Sequence, residues 1–144
     1  MPDYIPPALD WVRKQVELYE SSGGTEGTTL METGLPCVLI THIGGKTGGI
    51  RKIPLMRVKV DEGYVLVGSY GGREKNPVWV YNLRSHPLIA LRDATEIWPM
   101  IVREVPEGPE RDRLWEAAAE AFPPYNDYKK KAPRLIPVFV AEPV

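Results

Sequence analysis

Apolar residues recur at helical spacing near the start of the chain, at Leu9, Val12, Val16 and Tyr19, directly after the Pro6-Pro7 pair. Prolines followed by this period predict an amphipathic helix running to about Glu20, with Trp11 and Leu18 widening its apolar face. That face suits packing against a core; a membrane-surface or lid role is the alternative. Residues 21–29 (SSGGTEGTT) carry no periodicity and read as a polar connector.

The pattern then changes to β-rich runs at Cys37 to Ile43, Ile50 to Val60 and Tyr64 to Ser69, separated by Gly44 to Gly49 and by Asp61-Glu62-Gly63. Connections this short allow only antiparallel pairing, because a parallel crossover needs about a dozen residues. Pro54 lacks an N–H and is expected at a bulge or an edge. Asn76-Pro77 reads as an N-cap with proline at the first helical position, opening a helix to about Ser85. Strands follow at Leu88 to Asp93 and Glu96 to Val105, then a helix from Pro109 to Phe122, stopped by Pro123-Pro124, and a last strand from Leu135 to Val140. The order α-β-β-β-α-β-β-α-β predicts an α+β domain: a small barrel of about six mostly antiparallel strands with flanking helices. The expected division is an N-terminal helix and connector (1–30) before the barrel (31–144).

Composition narrows the function classes. The chain has 144 residues, 18 Lys+Arg against 19 Asp+Glu, and a net charge of −1, which argues against a generic nucleic-acid binder. One cysteine, Cys37, excludes an internal disulfide, and with two histidines (His42, His86) it cannot complete a closed His/Cys zinc site. No metal is expected. The N-terminus shows neither a basic nor an apolar leader region, and no apolar stretch approaches the ~20 residues of a membrane span. The expected location is cytoplasmic.

The charge distribution says more than its sum. Between Thr33 and Val60 there is no acidic residue, whereas Lys46, Arg51, Lys52, Arg57 and Lys59 all lie there. This local positive field can attract an anion. Gly44 to Gly49 has two readings: an amide nest flanked by Lys46 and Arg51, or a hairpin turn whose charges solvate an edge. Gly45-Lys46-Thr47 imitates the end of a P-loop, but Ile40 stands where the first glycine belongs and a strand follows. Ser69 to Pro77 runs from a strand through Gly71-Gly72 into a helix start, where outward N–H groups favour phosphate. An ordinary strand-to-helix connection is the alternative. Pro123-Pro124 stiffens the loop carrying Tyr125 and Tyr128, which suits a flat ligand or a packed surface loop. The histidines have no nucleophile at motif spacing, so they read as structural, and Trp79 and Trp98 as core or pocket wall. With so few reactive side chains, an enzyme built on this chain needs a cofactor.

Gly44-Gly45-Lys46-Thr47-Gly48, Arg51, Pro54-Leu55, Gly71-Gly72, Lys75-Asn76-Pro77, Trp79, Asn82-Leu83 and the ending Pro124-Tyr125, Asp127-Tyr128, Arg134, Ile136-Pro137-Val138 together resemble the deazaflavin-dependent nitroreductase family. The resemblance covers roughly residues 33 to 142 and implies a split β-barrel of the FMN-binding-like superfamily. It implies the cofactor F420, a hydride carrier with a phosphate and an anionic oligoglutamate tail, and an F420-dependent oxidoreductase reducing a flat acceptor such as a quinone or nitroaromatic. An FMN-dependent reductase or oxidase and a non-catalytic F420 carrier are the alternatives. By the same resemblance Lys46, Thr47 and Arg51 hold the phosphate and tail. Gly68, Ser69, Tyr70, Gly71, Gly72, Arg73, Lys75, Asn76 and Pro77 wrap phosphate, ribityl chain and ring, and Pro54, Leu55, Met56, Trp79 and Asn82 complete the cofactor site. Tyr125, Tyr128 and Ser69 are the implied catalytic residues, Tyr125 orienting or protonating the acceptor. The nitro-drug-activating branch carries Arg, Tyr, Lys and Tyr where this chain has Gly45, Met56, Tyr70 and Phe122, so the likeness implies cofactor binding more directly than nitroreduction. A homodimer and a peripheral contact of the N-terminal helix with the inner face of the plasma membrane are further expectations.

Overall fold

Alternation along each strand decides which side of the sheet a residue faces. In the computed structural model, which describes residues 3–30 and 33–144, β1 (Cys37–Ile43) sends Val38 and Ile40 to the inner face and Cys37 and Leu39 to the outer. Likewise β4 (Gly63–Val67) turns Tyr64 and Leu66 inward and Val65 and Val67 outward. In β7 (Val138–Pro143), Phe139 and Ala141 face inward and Val138 and Val140 outward. With β2 (Ile50–Met56), β3 (Lys59–Val60), β5 (Leu88–Asp93) and β6 (Glu96–Glu104) they form one antiparallel sheet in the order β2-β1-β5-β6-β7-β4-β3.

That order dictates curvature. β2 and β3 occupy opposite edges, yet only Arg57 and Val58 separate them in the chain. Three peptide steps span at most ~11 Å, so the sheet must curl until its edges meet. Hence seven strands stand where about six were expected: the run from Ile50 to Val60 is two strands. As the chain leaves β2, Arg57 donates its N–H to Pro36 O (3.0 Å), just before β1, and Val58 O accepts from Val65 of β4 (2.9 Å). Pro54 sits opposite Leu39 on the edge strand, where its missing N–H leaves no ladder bond unmade.

Both faces of the curled sheet are covered. α2 (Val78–Ser85) fills the inner side with Trp79, Val80 and Leu83. α1 (Asp10–Ser21) packs Val12, Val16 and Tyr19 on Cys37 and Leu39, and the Tyr19 hydroxyl accepts from Ala94 N–H (2.7 Å) and donates to Cys37 O (3.1 Å). α3 (Pro109–Ala121) lays Leu114, Trp115 and Ala118 over the outer faces of β4 and β7. Each fully buried side chain of this size contributes ~1.5–3 kcal/mol, so these clusters hold the helices in place. The chain before α1 extends the sheet: Ile5 N–H bonds Ile50 O (2.8 Å) and Ile50 N–H bonds Asp3 O (2.7 Å).

The expected loop at residues 124–128 is a helix, α4 (Pro124–Lys131). Pro123-Pro124 does end α3, but Pro124 then takes the first helical position, where an absent N–H costs no bond. Among the described residues no helix is long and apolar enough to cross a membrane.

Candidate functional site

The Gly44 to Gly49 loop is a tight turn closed on itself. Gly44 N–H bonds Gly49 O (2.8 Å), Gly48 N–H bonds Gly44 O (2.9 Å) and Gly49 N–H bonds Thr47 Oγ1 (3.1 Å). Gly45 N–H bonds Oδ1 of Asn82, a buried residue of α2, at 2.8 Å. With these four amides engaged inside the protein, the loop's side chains and the amides of Lys46 and Thr47 are left to meet an anion. The same Asn82 amide presents Nδ2 to His42 Nδ1 at 3.4 Å, which makes Nδ1 the unprotonated ring nitrogen. Burial, seconded by the Arg51 charge, pushes His42 down to about 4, so it is neutral and structural. Asn82 thus clamps the glycine turn to α2.

Around this clamp lies a cleft of about 690 Å³ whose walls include Lys46, Thr47, Arg51, Lys75, Asn76 and Ser85. It has three cationic side chains and no carboxylate among its lining residues. Such a donor set suits a phosphate or a carboxylate chain. α2 begins at the same cleft with Val78, and no side chain caps it, so its first N–H groups add to the positive field.

The second loop is set by backbone that few residues adopt. Tyr70, Gly71 and Gly72 have φ of 48°, 65° and 79°, forming a single 3-10 turn (Tyr70–Gly72). A Cβ on Gly72 would come within 3.1 Å of Tyr128 O, so glycine also permits the turn to pack on α4. Gly68 is similarly constrained, since a Cβ there would meet Val80 Cγ2 at 2.8 Å. Arg134 holds the segment together: it donates to the carbonyls of Gly68 (3.2 Å), Ser69 (2.9 Å) and Arg73 (2.9 Å), and to Asn76 Oδ1 (2.6 Å). Asn76 is therefore not the expected N-cap. Pro77 occupies that position, and the Asn76 side chain is bound to Arg134 instead.

An apolar cleft of about 300 Å³ adjoins the basic one, enclosed by Ile5, Leu9, Val12, Ile53, Tyr70 and Trp79. Arg51, Val78 and Asn82 line both. A third hollow of about 650 Å³, with Arg73 and Lys131 on its walls, shares Lys75 with the basic cleft and Tyr70 with the apolar one. The three make one groove across the start of α2, cationic at one end and greasy at the other.

This groove gathers Lys46, Thr47, Arg51, Tyr70, Gly72, Arg73, Lys75, Asn76, Pro77, Trp79 and Asn82. Gly68, Ser69 and Gly71 belong to its loop without standing among the lining residues. Pro54 is buried, Leu55 packs on the inner core, and Met56 belongs to the outer cluster. Tyr125 is only 7% exposed, its ring 5.0 Å from Phe122, 6.1 Å from Trp115 and 6.3 Å from Tyr128. Burial raises its phenol well above the ordinary tyrosine range, so it stays protonated. Neither Tyr125 nor Tyr128 lines the groove. Sequence reasoning assigned no task to Arg134 and overlooked Ile5 and Leu9. Only the isolated arginine before Ile136-Pro137 pointed to the first, and nothing local pointed to the others.

A split barrel with an acid-free anion cleft leading into an apolar slot defines the class: a small-cofactor-binding barrel. Residues 11–143 match the model of the F420H(2)-dependent quinone reductase family, and the chain belongs to that family. An F420H(2)-dependent quinone reductase of Mycobacterium tuberculosis is 29% identical over 126 residues, covering 85% of this chain and 83% of that protein. A solved structure described as a domain-swapped dimer is 42% identical with a TM-score of 0.72, covering 92% of this chain and 98% of that one. Another, an F420-H2 dependent reductase (FDR-A), is 44% identical with a TM-score of 0.69 over 74% of this chain and 94% of its own. The chain is accordingly an oxidoreductase whose cofactor is F420, and FMN is not favoured.

Proposed function

We propose that this protein reduces a quinone with F420H(2) bound in the groove across the start of α2. The observation that carries the assignment is the junction at Arg51, Val78 and Asn82 of a three-cation cleft with an apolar slot, a shape that suits a ligand anionic at one end and flat at the other. When bound, F420H(2) supplies a hydride, a pair of electrons with one proton.

The chain's own residues bind, orient and exclude water. Lys46, Arg51 and Lys75 hold the anionic portion, and Asn82 keeps the Gly45 turn in register with them. Tyr70, on the loop that Arg134 holds, would line the wall beside the ring portion. Ile5, Leu9, Ile53 and Trp79 would give the flat portion of the ligand an apolar wall and exclude water from it. The match to the F420H(2)-dependent quinone reductase family and to the mycobacterial quinone reductase supports a quinone rather than a nitroaromatic acceptor. Anaerobic oxidation of F420H(2) by menadione, followed by absorbance, tests the proposal. Turnover is expected with menadione and not with a nitroimidazole; no turnover with any quinone would refute it.

Leu9, Trp11 and Leu18 are exposed on and just before α1, which supports meeting the acceptor at a lipid surface. Liposome flotation tests this: binding should disappear when all three become serine, and no flotation of the native chain would refute it.

A further inference from the structure

Away from the groove, a cleft of about 500 Å³ lies between the end of β6, the start of α3 and the segment before β7, and one of its walls is Arg111. Arg111 is 4% exposed, yet it forms no ion pair among the described residues. Its Nη2 donates to Ile136 O at 2.6 Å, while its Nε is buried with no acceptor at all. The Trp115 ring, 5.4 Å from the guanidinium carbon, compensates the charge only in part.

Glu104 lines the same cleft but is already held by Arg84, Oε1 to Nε at 2.7 Å and Oε2 to Nη2 at 2.8 Å. The walls therefore carry two guanidinium groups and one carboxylate. Arg111 also stands in the first turn of α3, where the helix dipole adds positive rather than negative potential. A buried carboxylate or amine can escape such a position by becoming neutral. A guanidinium cannot, because it does not lose its proton in proteins. Among the described residues none is ion-paired with Arg111, which leaves that place open to a counter-charge from a ligand.

We propose that this cleft is an oxyanion site, in which Arg111 takes a carboxylate or phosphate group and Arg84 stands beside it. The site is separate from the groove and does not depend on the cofactor assignment. The oxyanion comes either from a free small acid or from an anionic arm of a ligand seated elsewhere.

The test is an NMR titration of the uniformly ¹⁵N-labelled full chain with inorganic phosphate and with succinate, up to about 50 mM at constant ionic strength, a range that detects millimolar affinity. Saturable shifts of the Arg111 Nε–H and of the amides at 135 and 136 are expected, absent in Arg111→Gln. Glu104→Gln, on the surface and removing the competing carboxylate, should tighten binding several-fold. It remains informative even if Arg111→Gln fails to fold. Repeating the titration with F420 bound, with and without its oligoglutamate tail, separates the sources. A phosphate response lost only with the tailed form assigns the oxyanion to the cofactor, and a response kept in both assigns it to a free acid. Unsaturable shifts, or saturable ones indifferent to Glu104→Gln, would overturn the site.

Discussion

Arg134→Gln is the substitution that most sharply separates loop architecture from mere loop composition. The guanidinium bridges four acceptors spread over residues 68 to 76, at 2.6 to 3.2 Å. A hydrogen bond from a charged donor is worth ~1.5–3 kcal/mol when buried, but Arg134 is only partly so and water can replace it at the carbonyls. Taking ~0.5 kcal/mol for each of the four leaves about 2 kcal/mol lost. The loss falls on a segment already holding Tyr70 at φ 48° and two glycines at positive φ, so it should appear as local opening before it appears as global unfolding. A ligand that must then close the segment itself loses about the same free energy, roughly 10- to 30-fold in Kd. Fluorescence titration with F420 measures this, and hydrogen exchange at Gly71 to Asn76 measures the opening. Arg134→Lys should lie in between, because an ammonium cannot span the fork. F420 affinity within twofold of the native protein, with unchanged exchange, would refute the reasoning.

Lys46→Gln and Lys75→Gln should each weaken F420 binding about three- to fivefold at low salt, with the difference shrinking as salt rises. An effect independent of salt would deny them an electrostatic role. Gly45→Arg should fit without strain, because the nearest atoms a Cβ there meets are Ser85 Oγ at 3.4 Å, Asn82 Oδ1 at 3.5 Å and Ser85 Cβ at 3.8 Å, and the added cation should tighten F420 several-fold in the same titration. Tyr125→Phe should leave quinone turnover within about twofold, since the ring is enclosed by Phe122, Trp115 and Tyr128 outside the groove; a fall of about a hundredfold would restore it as an acceptor-facing acid. His42 has its native pKa pushed down to about 4 from 6.5, so the unfolded chain binds more protons between those values. Its contribution to stability is complete above pH 6.5 and declines as pH falls toward 4, and urea midpoints of His42→Gln should lack that part of the decline.

Most strands were legible because alternation and short turns leave little freedom, but the run from Ile50 to Val60 is two strands, and the last strand is Val138–Pro143 rather than the expected Leu135 to Val140. The missing N–H confined Pro54 to a bulge or an edge, and it lies on the edge. α4 was not legible, since a proline pair ends one helix and starts another with equal ease. Asn76-Pro77 carries the local signature of a cap, and it was overridden by Arg134, 58 residues further along the chain. The acid-free run from Thr33 to Val60 pointed to the cationic half of the groove, which Lys46 and Arg51 line. Its apolar half did not show, because Ile5, Ile53 and Trp79 meet only when the N-terminal segment joins the edge of β2.

The claim that the groove is built for F420 is tested most directly by parallel titrations with F420 and FMN, following the fluorescence of each. F420 should bind at micromolar concentration and FMN at least about a hundredfold more weakly, a difference of ~2.7 kcal/mol. FMN binding as tight as F420, or tighter, would contradict the account.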